Sequence, residues 1–110
     1  MDEHPATRHL HRILHPDEQV HLQADAGEAV LAVTDRRLAI ADEHRVTLNT
    51  PLDDLRRIQF DIERSRPATL VIVPESPSNP PQVLAVPPDR YDEVGQLLAY
   101  IGRRLAGLAS

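Results

Sequence analysis

The sequence predicts a mainly β fold: about seven short antiparallel strands followed by one C-terminal helix. Three observations carry this prediction. Between residues 19 and 86, apolar residues recur largely at every second position, which is the period of a strand with one buried face. Clusters rich in Gly, Pro, Asp and Arg separate these segments. After Pro87 the apolar spacing changes to three and four, the period of an amphipathic helix.

The strands follow one another along this alternation. In "QVHLQAD", Val20, Leu22 and Ala24 alternate with polar residues and predict the first strand at 19–25. Val46 and Leu48 alternate with polar neighbours, and "TPLDDL" predicts one helical turn at 50–55, with Thr50 as its cap. The segment 68–73 is apolar on both faces, which indicates a central or covered strand. The remaining strands are predicted at 28–34, 37–42, 57–63 and 82–86.

The stretch "AVLAVTDRRLAIAD" predicts a hairpin with its tip at Asp35-Arg36. Antiparallel pairing sets Val33 opposite Leu38 and Leu31 opposite Ile40 on one face, and Ala32 opposite Ala39 on the other. A slip of one residue would reverse the faces, so this pattern defines the register. Asp35 is expected to supply the side-chain acceptor of the turn, and a four-residue loop over 34–37 keeps the same pairing.

Two helices complete the prediction. Residues 1–15 form an N-terminal segment with a short helix at 5–14, and residues 16–110 form the main domain. A long helix is predicted at about 88–106, with Tyr91, Val94, Leu98, Ile101 and Leu105 on its buried face. Beside that face runs a stripe of small residues, Gly95, Ala99 and Gly102. The stripe indicates a close approach, either by the chain's own sheet or N-terminal helix or by a second chain.

Composition narrows the functional classes. The chain has 110 residues, no cysteine, 3% aromatic residues and a net charge of −5, which argue for one domain without disulfides and against nucleic-acid binding. No apolar stretch reaches the length of a membrane span, and the first residues lack the apolar region of a signal peptide. We therefore expect a cytoplasmic protein with no transmembrane segment and no cofactor.

Three groups of residues are candidates for chemistry. His11 and His15 would share a helix face, but without cysteines or an HExxH pattern we predict no metal site. The serines lie in loops or at the terminus and outside any catalytic motif, so no catalytic residue is predicted. The arginines at the predicted turns could gather as an anion site or form a salt-bridged surface: Arg36, Arg37, Arg45, Arg56, Arg57, Arg64 and Arg66.

The motifs "HPDEQV", "VTDRRL" and "TPLDDLRRI", followed by the closing helix, resemble a small bacterial pleckstrin-homology-like (PH-like) domain over about residues 15–107. The resemblance implies a partly open barrel of two sheets with the last helix at one end, and a binding module instead of an enzyme. It also implies that Arg37 ties the hairpin to a neighbouring loop. The first hairpin loop, in "QADAGEAV", contains no cation, which argues against inositol lipid binding.

The sequence therefore favours two functions. The first is a non-catalytic PH-like module that binds a protein partner or itself, with Gly95, Ala99 and Gly102 as candidate partner-binding residues. The second is the binding of a small anionic ligand or lipid headgroup by Arg36, Arg37 and Arg45.

Overall fold

The alternating segments form seven antiparallel strands in two sheets. The computed structural model describes residues 4–63 and 66–109, so the predictions on Arg64, Ser65 and Ser110 lie outside the described residues. The first sheet has the order β1 (Leu22–Ala26), β2 (Ala29–Val33), β3 (Arg37–Ala41) and β4 (Val46–Pro51), and the second has β5 (Leu55–Asp61), β6 (Ala68–Pro74) and β7 (Gln82–Val86). A short helix α1 (Thr7–Ile13) precedes the strands, and a long helix α2 (Tyr91–Ala109) ends the described chain.

The β2–β3 hairpin has the predicted register. Leu31 pairs with Ile40, Ala32 with Ala39, and Val33 with Leu38. All residues of β2 and four of the five in β3 are buried, so both faces of this hairpin are covered. The prediction of one buried face therefore understates the burial.

Helix α1 covers the outer face of the first sheet. Ala6 and Leu10 form a small buried cluster with the outward-facing side chains of β2 and β3, which are Val30, Ala32, Ala39 and Ala41. Three of these four side chains are alanines, and small side chains allow a helix to approach a sheet closely. The N-terminal segment thus packs on the sheet and contributes apolar burial of its own.

Helix α2 packs its apolar side on the core that both sheets share. Val94, Leu97 and Ile101 are at most 1% exposed, and they belong to the buried cluster that also contains the inner-face side chains of both sheets. Leu98, which was predicted to lie at the centre of the buried face, is only half-buried. Two adjacent leucines allow two orientations of the helix about its axis, and packing on the sheets selects the one that buries Leu97. No helix in the described part of the chain has the length and apolarity needed to cross a membrane.

The predictions around β4 need correction. The pairing of β3 with β4 shifts between Ile40 and Ala41, so that Ala41 pairs with Val46 while Ile40 pairs with Leu48. This irregularity puts Val46 with the outer α1 cluster and Leu48 in the main core, not on one common face.

Three further boundaries differ from the prediction. Thr50 pairs with Leu38 inside β4 and does not cap a helix, and only Leu52–Asp54 form a single 3₁₀ turn. Val20 packs with α1 instead of continuing β1. Ile62 lies beyond the end of β5 and is 59% exposed.

The second sheet has β6 at its centre, as predicted for the segment 68–73. Its inner face joins the main core through Leu70, Ile72 and Val86. Its outer face carries Val71 and Val73, which are half-buried, and Val83, which is 68% exposed.

The two adjacent leucines of α2 provide a test of this packing. Leu97→Ala should lower the free energy of unfolding by about 2–5 kcal/mol, because it leaves a cavity in the core. Leu98→Ala should cost less than about 1.5 kcal/mol, because that side chain keeps partial contact with water. Urea denaturation of both variants measures the difference. Equal losses would contradict the orientation of α2.

Candidate functional site

The hairpin tip with the sequence "TDRR" is a structural junction. Glu18, whose side chain is fully buried, accepts hydrogen bonds at Oε2 from Thr34 Oγ1 (2.6 Å) and from Arg37 Nε (2.9 Å). Its Oε1 atom accepts the N–H of His15 at 3.3 Å, and Arg37 Nη1 donates to Asn49 Oδ1 at 3.2 Å. The expectation that Arg37 ties the hairpin to a neighbouring loop is confirmed, and the loop is the 15–18 turn.

Thr34 closes the turn. Its main-chain N–H donates to the carbonyl oxygen of Arg37 at 3.0 Å, and its hydroxyl accepts the N–H groups of Arg36 and Arg37 at 3.0 and 3.1 Å. The side-chain acceptor of the turn is therefore Thr34 and not Asp35 as predicted. A hydroxyl can accept two hydrogen bonds while donating one, and here it donates to Glu18.

The electrostatics of Glu18 follow from these contacts. Burial by itself raises the pKa of the carboxyl group. The hydrogen bonds from Thr34 and from the N–H of His15, together with the charge of Arg37, outweigh burial and hold the pKa below the ordinary value of 4.5. Glu18 is therefore a carboxylate at neutral pH, and its charge is compensated inside the fold.

The three arginines predicted as an anion site do not lie together. Arg36 and Arg37 are at the β2–β3 tip, where Arg36 pairs with Asp17 at 3.4 Å on the surface. Arg45 lies beyond the opposite end of β3, in the turn before β4, where its N–H donates to Asp42. Anion binding by these residues stays a prediction, and the structure separates them into two places.

The small-residue stripe of α2 is not packed against another element of the described chain. Gly95, Ala99 and Gly102 are exposed. A Cβ atom added at Gly95 or at Gly102 would have no heavy atom of another element within 4 Å. The alternative in which the chain's own sheet or N-terminal helix packs against the two glycines is therefore wrong, and the alternative of a second chain remains.

Gly102 instead lines a groove between β5 and α2. The groove has a volume of about 340 Å³ and is walled by Leu55, Ile58 and Phe60 from β5 and by Leu98, Ile101 and Leu105 from α2. Five of these six large apolar side chains are only half-buried. The charged residues among its lining are Arg56 and Arg57, on exposed positions of β5.

The position of β5 leaves this groove open along one side. β5 is an edge strand, and within the described residues its only strand partner is β6. The pairing is irregular between Leu55 and Arg57, which leaves Arg56 without a partner on β6. At the other end, the ring of Phe60 is fixed edge-to-face against Tyr91 with 5.9 Å between centroids.

Two other cavities have a different chemistry. A cleft of about 470 Å³ separates β7 from the nearby ends of the first sheet, and its charged lining consists of Glu28 and Asp42. A smaller pocket of about 260 Å³ adjoins both acids and adds His4, Glu43 and His44. In the described part of the chain, no group of histidines and acids is arranged to hold a metal ion.

Sequence reasoning did not find the groove as such. It identified Gly102, Leu98, Ile101 and Leu105 on one helix and the alternation of Ile58 and Phe60 on one strand. That these two elements wall one groove depends on how the second sheet sits against α2, which no local pattern encodes. Comparisons with family models, with curated proteins and with solved structures found no match to this chain.

Neighbouring arginines at the tip should differ in their effect on stability. Arg37→Ala should lower the free energy of unfolding by about 2–4 kcal/mol, because it leaves the buried Glu18 carboxylate without its cation. Arg36→Ala is the matched control: its ion pair is exposed, and we expect a change of less than about 1 kcal/mol. Chemical denaturation at neutral pH compares the two. Similar losses would show that Arg37 is not structural.

The lowered pKa of Glu18 has a consequence for acid stability. Because the folded state holds this proton less tightly than the unfolded state, the stabilisation is complete above pH 4.5 and is lost as the pH falls through the lower pKa of the folded state. Glu18→Gln should therefore be less stable than the native chain at neutral pH, and the difference should shrink as the pH falls below 4.5 and through the lower pKa of the folded state.

The comparison isolates Glu18, because Asp42 is present in both proteins. The pKa of Asp42 is also lowered, first by the N–H of Arg45 and then by that of His44. The contribution of Asp42 is the same in both proteins, so it cancels when the free energy of unfolding of Glu18→Gln is subtracted from that of the native chain. Urea melts at a series of pH values measure that difference, and a difference that stays constant with pH would contradict the assignment.

Proposed function

We propose that this chain is a non-catalytic PH-like interaction module, and that the groove between β5 and α2 holds an apolar segment of a protein partner. The observation that carries the proposal is the groove itself. It is a cavity of about 340 Å³ walled by large, half-buried apolar side chains beside an edge strand. Binding of a partner that removes such side chains from water lowers the free energy of the complex.

The PH-like assignment is supported by the arrangement of elements and by the motifs. The resemblance implies a partly open barrel of two sheets with the last helix at one end, and the two antiparallel sheets and the C-terminal helix of this chain are compatible with it. Glu18 of "HPDEQV" and Arg37 of "VTDRRL" contact each other directly. These two motifs therefore form one structural junction. Because their charged side chains are used to hold the fold together, we place the binding function elsewhere on the fold.

The edge strand favours an extended partner segment. An added strand would pair its main chain along β5 and direct alternate side chains into the groove. Arg56 and Arg57 lie at the rim, so acidic side chains flanking an apolar residue are favoured. The chain as a whole has a net charge of −5, so most of its surface repels acidic segments. An acidic partner segment is therefore directed to the two arginines at the rim of the groove.

Catalysis is not part of the proposal. Apolar side chains and two arginines line the groove, and no acid or histidine is among its lining residues in the described chain. General acid–base chemistry needs such a group within hydrogen-bond distance of a bound substrate. The alternative function, anion binding by Arg36, Arg37 and Arg45, is less favoured because Arg37 is held by Glu18 and Asn49.

The two glycines of α2 provide a matched test. Gly102→Leu would place a side chain into the groove, whereas Gly95→Leu adds the same side chain about two turns away, outside the lining. Neither introduced Cβ atom meets another element, and replacing glycine in a helix should raise stability by about 0.5–1 kcal/mol. Any loss of binding is then not a loss of fold.

Random peptides displayed on phage are selected on the immobilised native chain, and the enriched peptides are synthesised. We expect peptides that combine apolar and acidic residues. Their dissociation constants, measured by fluorescence anisotropy, should rise at least about tenfold with Gly102→Leu and stay unchanged with Gly95→Leu. Peptides that bind both variants as well as the native chain would place the partner site outside the groove.

A further inference from the structure

The outer face of the second sheet is an apolar surface that no described element covers. The strand register brings Val71, Val73 and Val83 together on this face, and we call these three residues the valine face. Val83 is 68% exposed, and the flanking side chains on the same face are all exposed: Arg57, Gln59, Asp61, Thr69 and Ala85. The outer face of the first sheet, by contrast, is covered by α1.

The register sorts this surface into three rows across the strands. Arg57 pairs with Val73 in the first row, and Gln59, Val71 and Val83 form the middle row. The third row holds Asp61, Thr69 and Ala85. The hydrogen bond of 2.8 Å from Gln59 Nε2 to Asp61 Oδ2 confirms that these two side chains share the face.

The three rows of one copy are complementary to the same three rows of a second copy. Consider two copies whose outer faces lie against each other, related by a two-fold axis midway between the sheets. If this axis runs perpendicular to the strands at the level of Gln59, the strands of the second copy run in the opposite direction. This half-turn places the middle row over its own copy, so that Val71 and Val83 meet the same residues of the partner. The same operation places Arg57 over the partner's Asp61, and Asp61 over the partner's Arg57.

We propose that two copies of this chain associate through their valine faces in an isologous dimer, with two symmetric Arg57–Asp61 ion pairs at the rim. Aligned sheets pack about 10 Å apart and about 30° from parallel, and the long side chain of Arg57 can span the resulting offset. A two-fold interface requires a surface that complements itself, and the opposite charges four residues apart on β5 meet this requirement.

The dimer should be weak. Three strands about 4.8 Å apart and five residues long form a face of about 14 Å by 17 Å, well below the size of a standard stable interface. We therefore expect a weak dimer whose population rises with protein concentration. The three valines lie on the opposite face of the sheet from the apolar wall of the groove, so their contact does not depend on the proposed function. Arg57 borders both surfaces, whereas Asp61 is not among the residues that line the groove, so Asp61→Arg tests the dimer separately from the groove.

Reversal of single charges gives a sharp test. Arg57→Glu and Asp61→Arg each place like charges opposite one another at both ends of the dimer, and each should weaken self-association at least about tenfold. An equimolar mixture of these two variants restores opposite charges in both pairs and should form a heterodimer. The double variant Arg57→Glu/Asp61→Arg should again self-associate like the native chain.

Sedimentation velocity of the full chain from about 10 µM to 1 mM measures these states, with circular dichroism melts to check the fold. Arg103→Glu, on the exposed side of α2, is the control for the change in net charge and should leave the dimer unaffected. Val83→Asp should abolish the dimer, because it places a charge in the middle row. A native chain that is monomeric throughout this range would overturn the proposal.

Two further results would also overturn it. Single charge variants that associate as strongly as the native chain would place the self-interface elsewhere, for example on the stripe of α2. Single variants that are monomeric but whose mixture stays monomeric would exclude the two-fold pairing of Arg57 with Asp61.

Discussion

One buried carboxylate organises this fold. Glu18 has no exposed side-chain surface, and a buried charge is tolerated only when it is paired and hydrogen-bonded. Its partners come from the 15–18 turn and from the β2–β3 tip, and Arg37 extends the network to Asn49 on β4. The network therefore joins the entry to β1, the central hairpin and an outer strand at one end of the first sheet. Removing one member leaves the other buried polar groups without hydrogen-bond partners in a place that water does not reach. The stability of the fold is therefore sensitive to single substitutions in this network.

The same tip also positions both walls of the groove. The carbonyl oxygen of Arg36 accepts the N–H of Leu52 at 3.0 Å, in the turn that leads directly into β5. The carbonyl oxygen of Asp35 accepts a hydrogen bond of 3.2 Å from Arg104, next to Leu105 in the wall formed by α2. One wall is thus anchored at its start and the other near its end. A groove between two anchored elements is formed before a partner arrives, which reduces the ordering that binding requires.

The arginines of this chain fall into different roles that their type alone does not reveal. Arg37 neutralises a buried acid, and Arg36 pairs with Asp17 in water. Arg56 and Arg57 are exposed on β5, where they border an apolar groove. Strand β5 also serves two surfaces, because its inward side chains wall the groove while Arg57 and Asp61 border the outer valine face. Partner binding and self-association would therefore use opposite faces of one sheet and share Arg57 at their border.

The sequence by itself determined the strand periods, the register of the β2–β3 hairpin and the existence of α2, because these depend on contacts between residues close in the chain. Only the tertiary structure decided which of Leu97 and Leu98 is buried, since both fit an amphipathic helix and the sheets select one. It also decided the irregular pairing that separates Val46 from Leu48. The pairing of Glu18 with Arg37, the groove and the exposed valine face join elements that no local pattern relates. Alternating apolar residues specify which side of a strand is buried, but not which other element, or which other molecule, buries it.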